Sequence, residues 1–403
     1  MSRSVVSRLF LVTVPAIAVS TVVVMVGIEC WVRAVWDPRR GTPGFYVSDP
    51  VRGQRLAENY TGWFAGVPVR INSLGFRDSR EYDLAKKPNT FRVLVLGDSV
   101  TFGHGSVYEH TYPYLLEQRL KAWRPGIDWQ VWNAAVPGYN TSQELAHLLE
   151  VGPRFRPDLV VVGFYENDLT DNQPPAHPTI ATRLLSVLGG FVQRHVYSVE
   201  LYRKIVLQAA WRLSASNSYH KRLESLASTD ELTSAARDAS HLKEQALTRY
   251  DWLSDDEIRG VGCRFGIKGS LDSVRAMESE PTYHLWLDAV RGFQALNRDG
   301  QYRIVFFVNL APTACDDTNL FYDANRFNNE FFLEIMSDGT PAVSSHDRFL
   351  HTRPSQMPAA GGHSLGNSNA VKADVLFDYL KDAVLPSLLE RATPAASRVA
   401  GPQ

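Results

Sequence analysis

From Thr90 onward the sequence predicts an α/β domain built on a parallel sheet, preceded by one N-terminal transmembrane helix and interrupted by a helical insertion. Three observations carry this prediction. Phe91–Leu96 (FRVLVL), Asp158–Phe164 (DLVVVGF) and Arg303–Leu310 (RIVFFVNL) are apolar runs of strand length, the pattern of strands buried on both faces. Amphipathic helical stretches lie between the early strands at short spacing, as crossover connections require. A run of twenty uncharged residues stands apart near the N-terminus.

In chain order the uncharged run Leu9–Ile28 comes first. At ~1.5 Å per residue it reaches roughly 30 Å, the thickness of a bilayer core. Arg3 and Arg8 precede it and Glu29 closes it. Ala16-Ile17-Ala18 offers a small-x-small cleavage site, so a cleaved signal peptide is the alternative to an anchor. The run continues ten residues past Ala18, which a signal peptide does not need. Arg33, Arg39 and Arg40 follow it, leaving the charge balance almost even; a short N-terminal tail with the rest of the chain exported is the expected orientation. Residues 1–28 are thus tail and anchor, and residues 29–89 an extended juxtamembrane segment without sustained periodicity. Within that segment Asn72 to Asp78 (NSLGFRD) reads as a turn followed by a short docking element.

Residues 90–168 form the first half of the α/β domain. After the strand at Phe91–Leu96, Tyr112–Trp123 predicts a helix with Leu115, Leu116, Leu120 and Trp123 on one face. Trp129–Val136 is a second strand stopped by Pro137-Gly138, Ser142–Val151 a second helix, and Asp158–Phe164 a third strand. Residues 169–283 contain Pro174-Pro175, charged helical stretches and no strand pattern, which predicts the insertion. Inside it, Val196–Leu213 is open between a plain packed helix, a cap on the site and a helix on the membrane surface. Residues 284–392 complete the domain with a helix near Tyr283–Leu296, the strand Arg303–Leu310 and a last helix Ala370–Leu388. From Thr393 to residue 403 a flexible tail is expected.

Composition narrows the function. With 403 residues, 44% hydrophobic and 21% charged, the chain is a folded protein of enzyme size. Its 42 Lys+Arg against 43 Asp+Glu leave no basic footprint for nucleic acid. His346 with His351 makes only a weak metal pair, so neither metal nor cofactor is expected. Gly103-His104-Gly105 lacks the third glycine of a dinucleotide loop. Cys263 and Cys315 are open between a disulfide, permitted in an exported domain, and two free thiols.

Functional groups of an open parallel sheet gather at the carboxyl ends of its strands. Here those ends carry Gly97-Asp98-Ser99, Asn133 to Asn140, and Glu166-Asn167-Asp168. A serine between strand and helix is exposed in a tight turn beside backbone N–H groups; an ordinary helix-capping serine is the plain alternative. The block Gly97-Asp98-Ser99-Val100-Thr101-Phe102-Gly103 resembles the nucleophile block of the SGNH/GDSL hydrolase family. Val131 to Gly138 (VWNAAVPG) resembles the family's second block, and Tyr165-Glu166-Asn167-Asp168 its third, with tyrosine where the family has glycine. Ser99 and Gly138 lie 39 residues apart, Gly138 and Asn167 a further 29, in the family's order.

The resemblance implies a flavodoxin-like three-layer sandwich with Ser99 as nucleophile. It places the Ser99 N–H, the Gly138 N–H and the Asn167 amide in an oxyanion hole. Such donors are worth roughly 3–4 kcal/mol each to the transition state. The family's histidine precedes the last helix, a place filled here by His363 in Gly361 to Asn369 (GGHSLGNSN), with His351 as runner-up. The aspartate expected two or three residues before the histidine is absent; Ala360 and Gly361 stand there. Three arrangements are open: Asp347 orients His363 from upstream, a backbone carbonyl does so, or the site is weakened. Losing the orienting acid costs ~10⁴-fold in a triad enzyme.

The expectation is therefore a single-pass membrane protein whose catalytic domain is periplasmic or extracellular. It would be a serine esterase acting through an acyl-serine on a small-molecule or carbohydrate ester, with acyl groups on envelope carbohydrate among the substrates the family suggests. The alternatives are an O-acyltransferase modifying an exopolysaccharide and a catalytically degenerate envelope binding protein.

Overall fold

A computed structural model describes residues 3–38, 41–170, 172, 176, 178–213, 276–279, 281–310, 326–349, 359–360 and 363–392. Helix α1 (Arg3–Val35) comes first. Its Val12–Val35 portion is long and apolar enough to cross a membrane. The large apolar side chains between Val12 and Ile28 are exposed.

The segment expected to be merely extended forms two hairpins. β1 (Tyr46–Asp49) pairs antiparallel with β2 (Gly53–Leu56), and β3 (Thr61–Phe64) with β4 (Val67–Arg70). Alternation over only four residues is a weak signal in sequence, although β1 and β4 bury every second residue. The hairpins are stable because Val47, Leu56, Val67 and Val69 bury themselves against Phe102, Val136 and Tyr139 of the main domain.

The main domain then runs β5 (Thr90–Gly97), α2 (Ser99–Phe102), α3 (Tyr112–Trp123), β6 (Asp128–Asn133), α4 (Thr141–Phe155), β7 (Leu159–Phe164) and α5 (Asn167–Thr170). Two helices follow, α6 (Ile180–His195) and α7 (Tyr197–Leu213). The α/β pattern resumes with α8 (Pro281–Arg298), β8 (Ile304–Val308), α9 (Arg326–Met336), β9 (Ala342–Ser344) and α10 (His346–Phe349). A two-residue pairing of β10 (Ala359–Ala360) with β11 (His363–Ser364) leads into α11 (Gly366–Tyr379), a π-helical turn at Leu380–Val384, and α12 (Leu385–Ala392).

Five strands make one wholly parallel sheet in the order β6-β5-β7-β8-β9. Read in chain order this is 2-1-3-4-5, the flavodoxin-like doubly wound arrangement, whose crevice opens where the order reverses, between β5 and β7. Leu94, Leu96, Val160, Val162 and Phe306 bury against α4, α8 and α9 on one face. Val93, Val95, Val161, Val305 and Phe307 bury against α3 and α11 on the other. Three layers result, as expected.

The differences in detail have local causes. β6 ends at Asn133 rather than Val136; Ala134 and Val136 still donate to Val95 and Gly97 as the chain peels off toward the Pro137-Gly138 turn. The last helix starts at Gly366 and is broken by the π turn, so it is not a single rod from Ala370 to Leu388. β9, three residues long, gave no readable pattern. Cys263, Cys315, His351, Pro174-Pro175 and the tail lie outside the described residues; Cys30 is an exposed free thiol.

Candidate active site

Ser99 opens the single-turn helix α2, where β5 ends. Gly97 just before it has φ +151°, and a Cβ there would sit 2.2 Å from Thr101 Oγ1, so only glycine lets the turn close. Asp98 caps α2, its carboxylate accepting from the Val100 N–H at 2.8 Å. Beyond α2 the chain is clamped from outside by Arg77, the arginine of the expected docking element. Its buried guanidinium donates to the carbonyls of Phe102 (2.5 Å), Gly103 (2.8 Å) and Ser106 (2.5 Å) and lies over the Phe102 ring. Desolvation lowers its pKa to about 9, which leaves it charged at neutral pH.

The three strand-end blocks meet around this turn. The loop after β6 is tied to β5 by the Ala134 and Val136 amides, and Thr101 Oγ1 donates to the Gly163 carbonyl of β7 at 3.3 Å. Gly138 is exposed at the tip of its turn with φ +84°. Gln54 and Tyr46 of the first hairpin donate to the Pro137 carbonyl at 3.2 and 3.3 Å and hold that turn in place. Asn167 begins α5, with its side chain near enough to Asp98 to favour the charged carboxylate.

His363, 264 residues further along the chain, arrives on β11 with Nε2 2.8 Å from Ser99 Oγ. The backbone beside it is fixed by a small buried network. The Ser364 carbonyl accepts from Ser106 Oγ (3.3 Å) and Asn369 Nδ2 (3.0 Å), and Asn369 also donates to Ser106 (3.1 Å). Asp347, by contrast, pairs with its neighbour His346 (Nδ1–Oδ1 2.9 Å) and is largely exposed, so the structure does not bring it to His363.

Two residues that sequence reasoning passed over belong to this neighbourhood. The His104 ring stacks on the His363 ring, centroids 4.2 Å apart and planes 25° from parallel, and packs edge-to-face with Phe64. Desolvation, then the proximity of His363 and Arg77, hold His104 well below the usual histidine range, so it is neutral near pH 7. Lys372 of α11 is buried, and burial lowers its pKa to about 7 against the attraction of Asp98. Asp98 itself is raised to about 6 by desolvation, offset by the Val100 and Thr101 amides, Lys372 and Asn167. Behind it, burial and mutual repulsion push Glu144 and Asp168 well above the carboxylate range. Among the described residues no group of side chains has the arrangement of a metal site.

A strand-end serine touching a histidine, in a doubly wound sheet, is an arrangement with the parts for nucleophilic catalysis. Residues 95–259 match the model of the GDSL-like Lipase/Acylhydrolase family, a match that supports a carboxylic ester hydrolase. The match spans the blocks of Ser99, Gly138 and Asn167 and stops short of His363. Among solved structures the chain is similar to a two-domain esterase active on acetylated mannans (12% identity, TM-score 0.32), covering 73% of this chain and 50% of that one. It is similar also to an acetylxylan esterase of Geobacillus stearothermophilus, in the form of a catalytic mutant (10% identity, TM-score 0.35, covering 72% and 93%). A GDSL-like lipase of Bacteroides thetaiotaomicron shows 11% identity and a TM-score of 0.30, covering 72% and 88%. No curated protein matches the chain.

Proposed function

We propose that the protein is a membrane-anchored serine esterase that removes acyl groups through an acyl-serine intermediate. The observation that carries this reading is the 2.8 Å approach of His363 Nε2 to Ser99 Oγ, the reach a general base needs to take the nucleophile's proton. Ser99 Oγ attacks the ester carbonyl as its proton passes to Nε2. The Ser99 and Gly138 N–H groups and the Asn167 amide receive the negative oxygen. Collapse expels the alcohol, which takes the proton from His363, and leaves the acyl group on Ser99. Water then repeats the sequence and releases the acid. His363 is oriented by its hairpin and by the His104 ring, with Asp347 engaged elsewhere. The substrate is a small-molecule or carbohydrate ester met at the membrane that α1 enters, on the periplasmic or extracellular side.

Fluorophosphonate labelling of the full chain tests this. Label is expected on Ser99 in the wild type and lost in both Ser99→Ala and His363→Ala. A folded wild type that takes no label sinks the reading. Label kept in His363→Ala would move the base to another residue, with His351 next in line.

A further inference from the structure

Helix α6 is amphipathic in the reverse of the usual sense. The face it turns to the domain is small and polar. A Cβ on Gly190 would lie 3.6 Å from Val47, Gly189 faces Ser48, and Gln193 Oε1 accepts from the Ser48 N–H at 2.9 Å. The opposite face carries Ile180, Leu184, Leu185, Val187, Leu188 and Phe191, each 60–82% exposed. Spaced at 100° per residue, these six form one broad apolar surface, with Arg183 and Arg194 along one border. The helix contains no acidic residue.

A second observation links this helix to α1. The corner between α6 and α7 is fastened to α1 at the level where its apolar run ends. The Glu29 carboxylate accepts from the Tyr197 and Ser198 N–H groups at 2.9 and 2.8 Å and so caps α7. Arg33 donates to the His195 carbonyl at the end of α6 and lies over the Tyr197 ring. Trp36 packs edge-on against the same ring. Arginines and aromatic residues are the groups that mark a membrane–water boundary, and here they join α6 directly to the spanning helix.

We propose that α6 is a second membrane contact, lying with its apolar face in the surface of the bilayer that α1 crosses and with Arg183 and Arg194 on anionic headgroups. A cationic helix with a broad apolar face has the composition for this position. The inference rests on reading α1 as an anchor, and the test separates the two.

The full chain, with Cys30, Cys263 and Cys315 replaced by serine, is reconstituted in phosphatidylcholine–phosphatidylglycerol vesicles. It carries one environment-sensitive fluorophore, at Leu188→Cys or at Val22→Cys. With the inference correct, a spin label near the lipid headgroups quenches the Leu188 site and aqueous iodide does not, while a mid-chain spin label quenches the Val22 site. If iodide quenches Leu188 while Val22 stays in lipid, the anchor stands and α6 lies in water. If no quencher reaches Leu188, protein covers the face and the inference is overturned. If lipid quenches neither site, the anchor reading fails and takes the inference with it.

Discussion

Ser99 sits beside a turn that only Gly97 lets close, and His363 faces it with a second histidine ring stacked on its own. His104 donates no charge to the site, since burial and the nearby His363 and Arg77 keep it neutral. Its stacked ring limits how far His363 can swing. His104→Ala is therefore expected to lower kcat by ~10- to 100-fold with little change in KM, the scale of losses that small misplacements cause. His104→Phe should recover most of the loss, because it keeps the ring. Steady-state ester hydrolysis by the two variants checks this, and equal loss in both would show that the imidazole, not the stacking, is required. The buried carboxylates make a separate prediction. Asp98, Glu144 and Asp168 have folded-state pKa values above their ordinary ones, Asp98 reaching about 6. Their contribution to stability is present at acid pH and is lost as pH rises through those values. Asp168→Asn removes one of the three groups, so Tm should fall less between about pH 4 and 7 than in the wild type. Calorimetry across that range decides it; parallel curves would contradict the assignment.

Single elements hold the site together from unexpected directions. The segment Asn72–Asp78 precedes the first strand of the parallel sheet, yet the Arg77 guanidinium donates to three carbonyls of the loop after Ser99. Arg77→Ala leaves three buried carbonyls to find other donors and should destabilise the fold by about 2–4 kcal/mol in urea unfolding. A loss under about 0.5 kcal/mol, the size of an ordinary surface change, would mean that the loop holds its shape unaided. These contacts also explain what could be read beforehand. β5, β7 and β8 are legible because burial on both faces makes their sequences continuously apolar. The hairpins and β9 are not, since three or four residues give too short a pattern to stand out and much of their burial is against distant partners. At the site, Ser99, Gly138, Asn167 and His363 stand out by motif and spacing. His104 and Lys372 do not, because a stacked ring and a buried ammonium acquire their roles only when β11 and α11 fold over the nucleophile turn.

On the scale of the whole molecule, the same stretch of chain faces two ways. β1 presents Val47 and Ser48 to α6, while Tyr46 and Gln54 of the same hairpin steady the turn bearing Gly138. The connection from Val35 at the end of α1 to Tyr46 is only eleven residue steps. Fully extended at ~3.6 Å per step, it spans at most roughly 40 Å. On the proposed reading, Ser99 is thus held near the bilayer. An ester carried on the surface of the same bilayer, or on a polymer threaded close to it, meets Ser99 at a high effective concentration because search is confined to a thin layer. An ester held far above the surface is beyond reach however well it fits. On the proposed reading, the length of those few residues, together with the shape of the crevice, selects which acyl groups are removed.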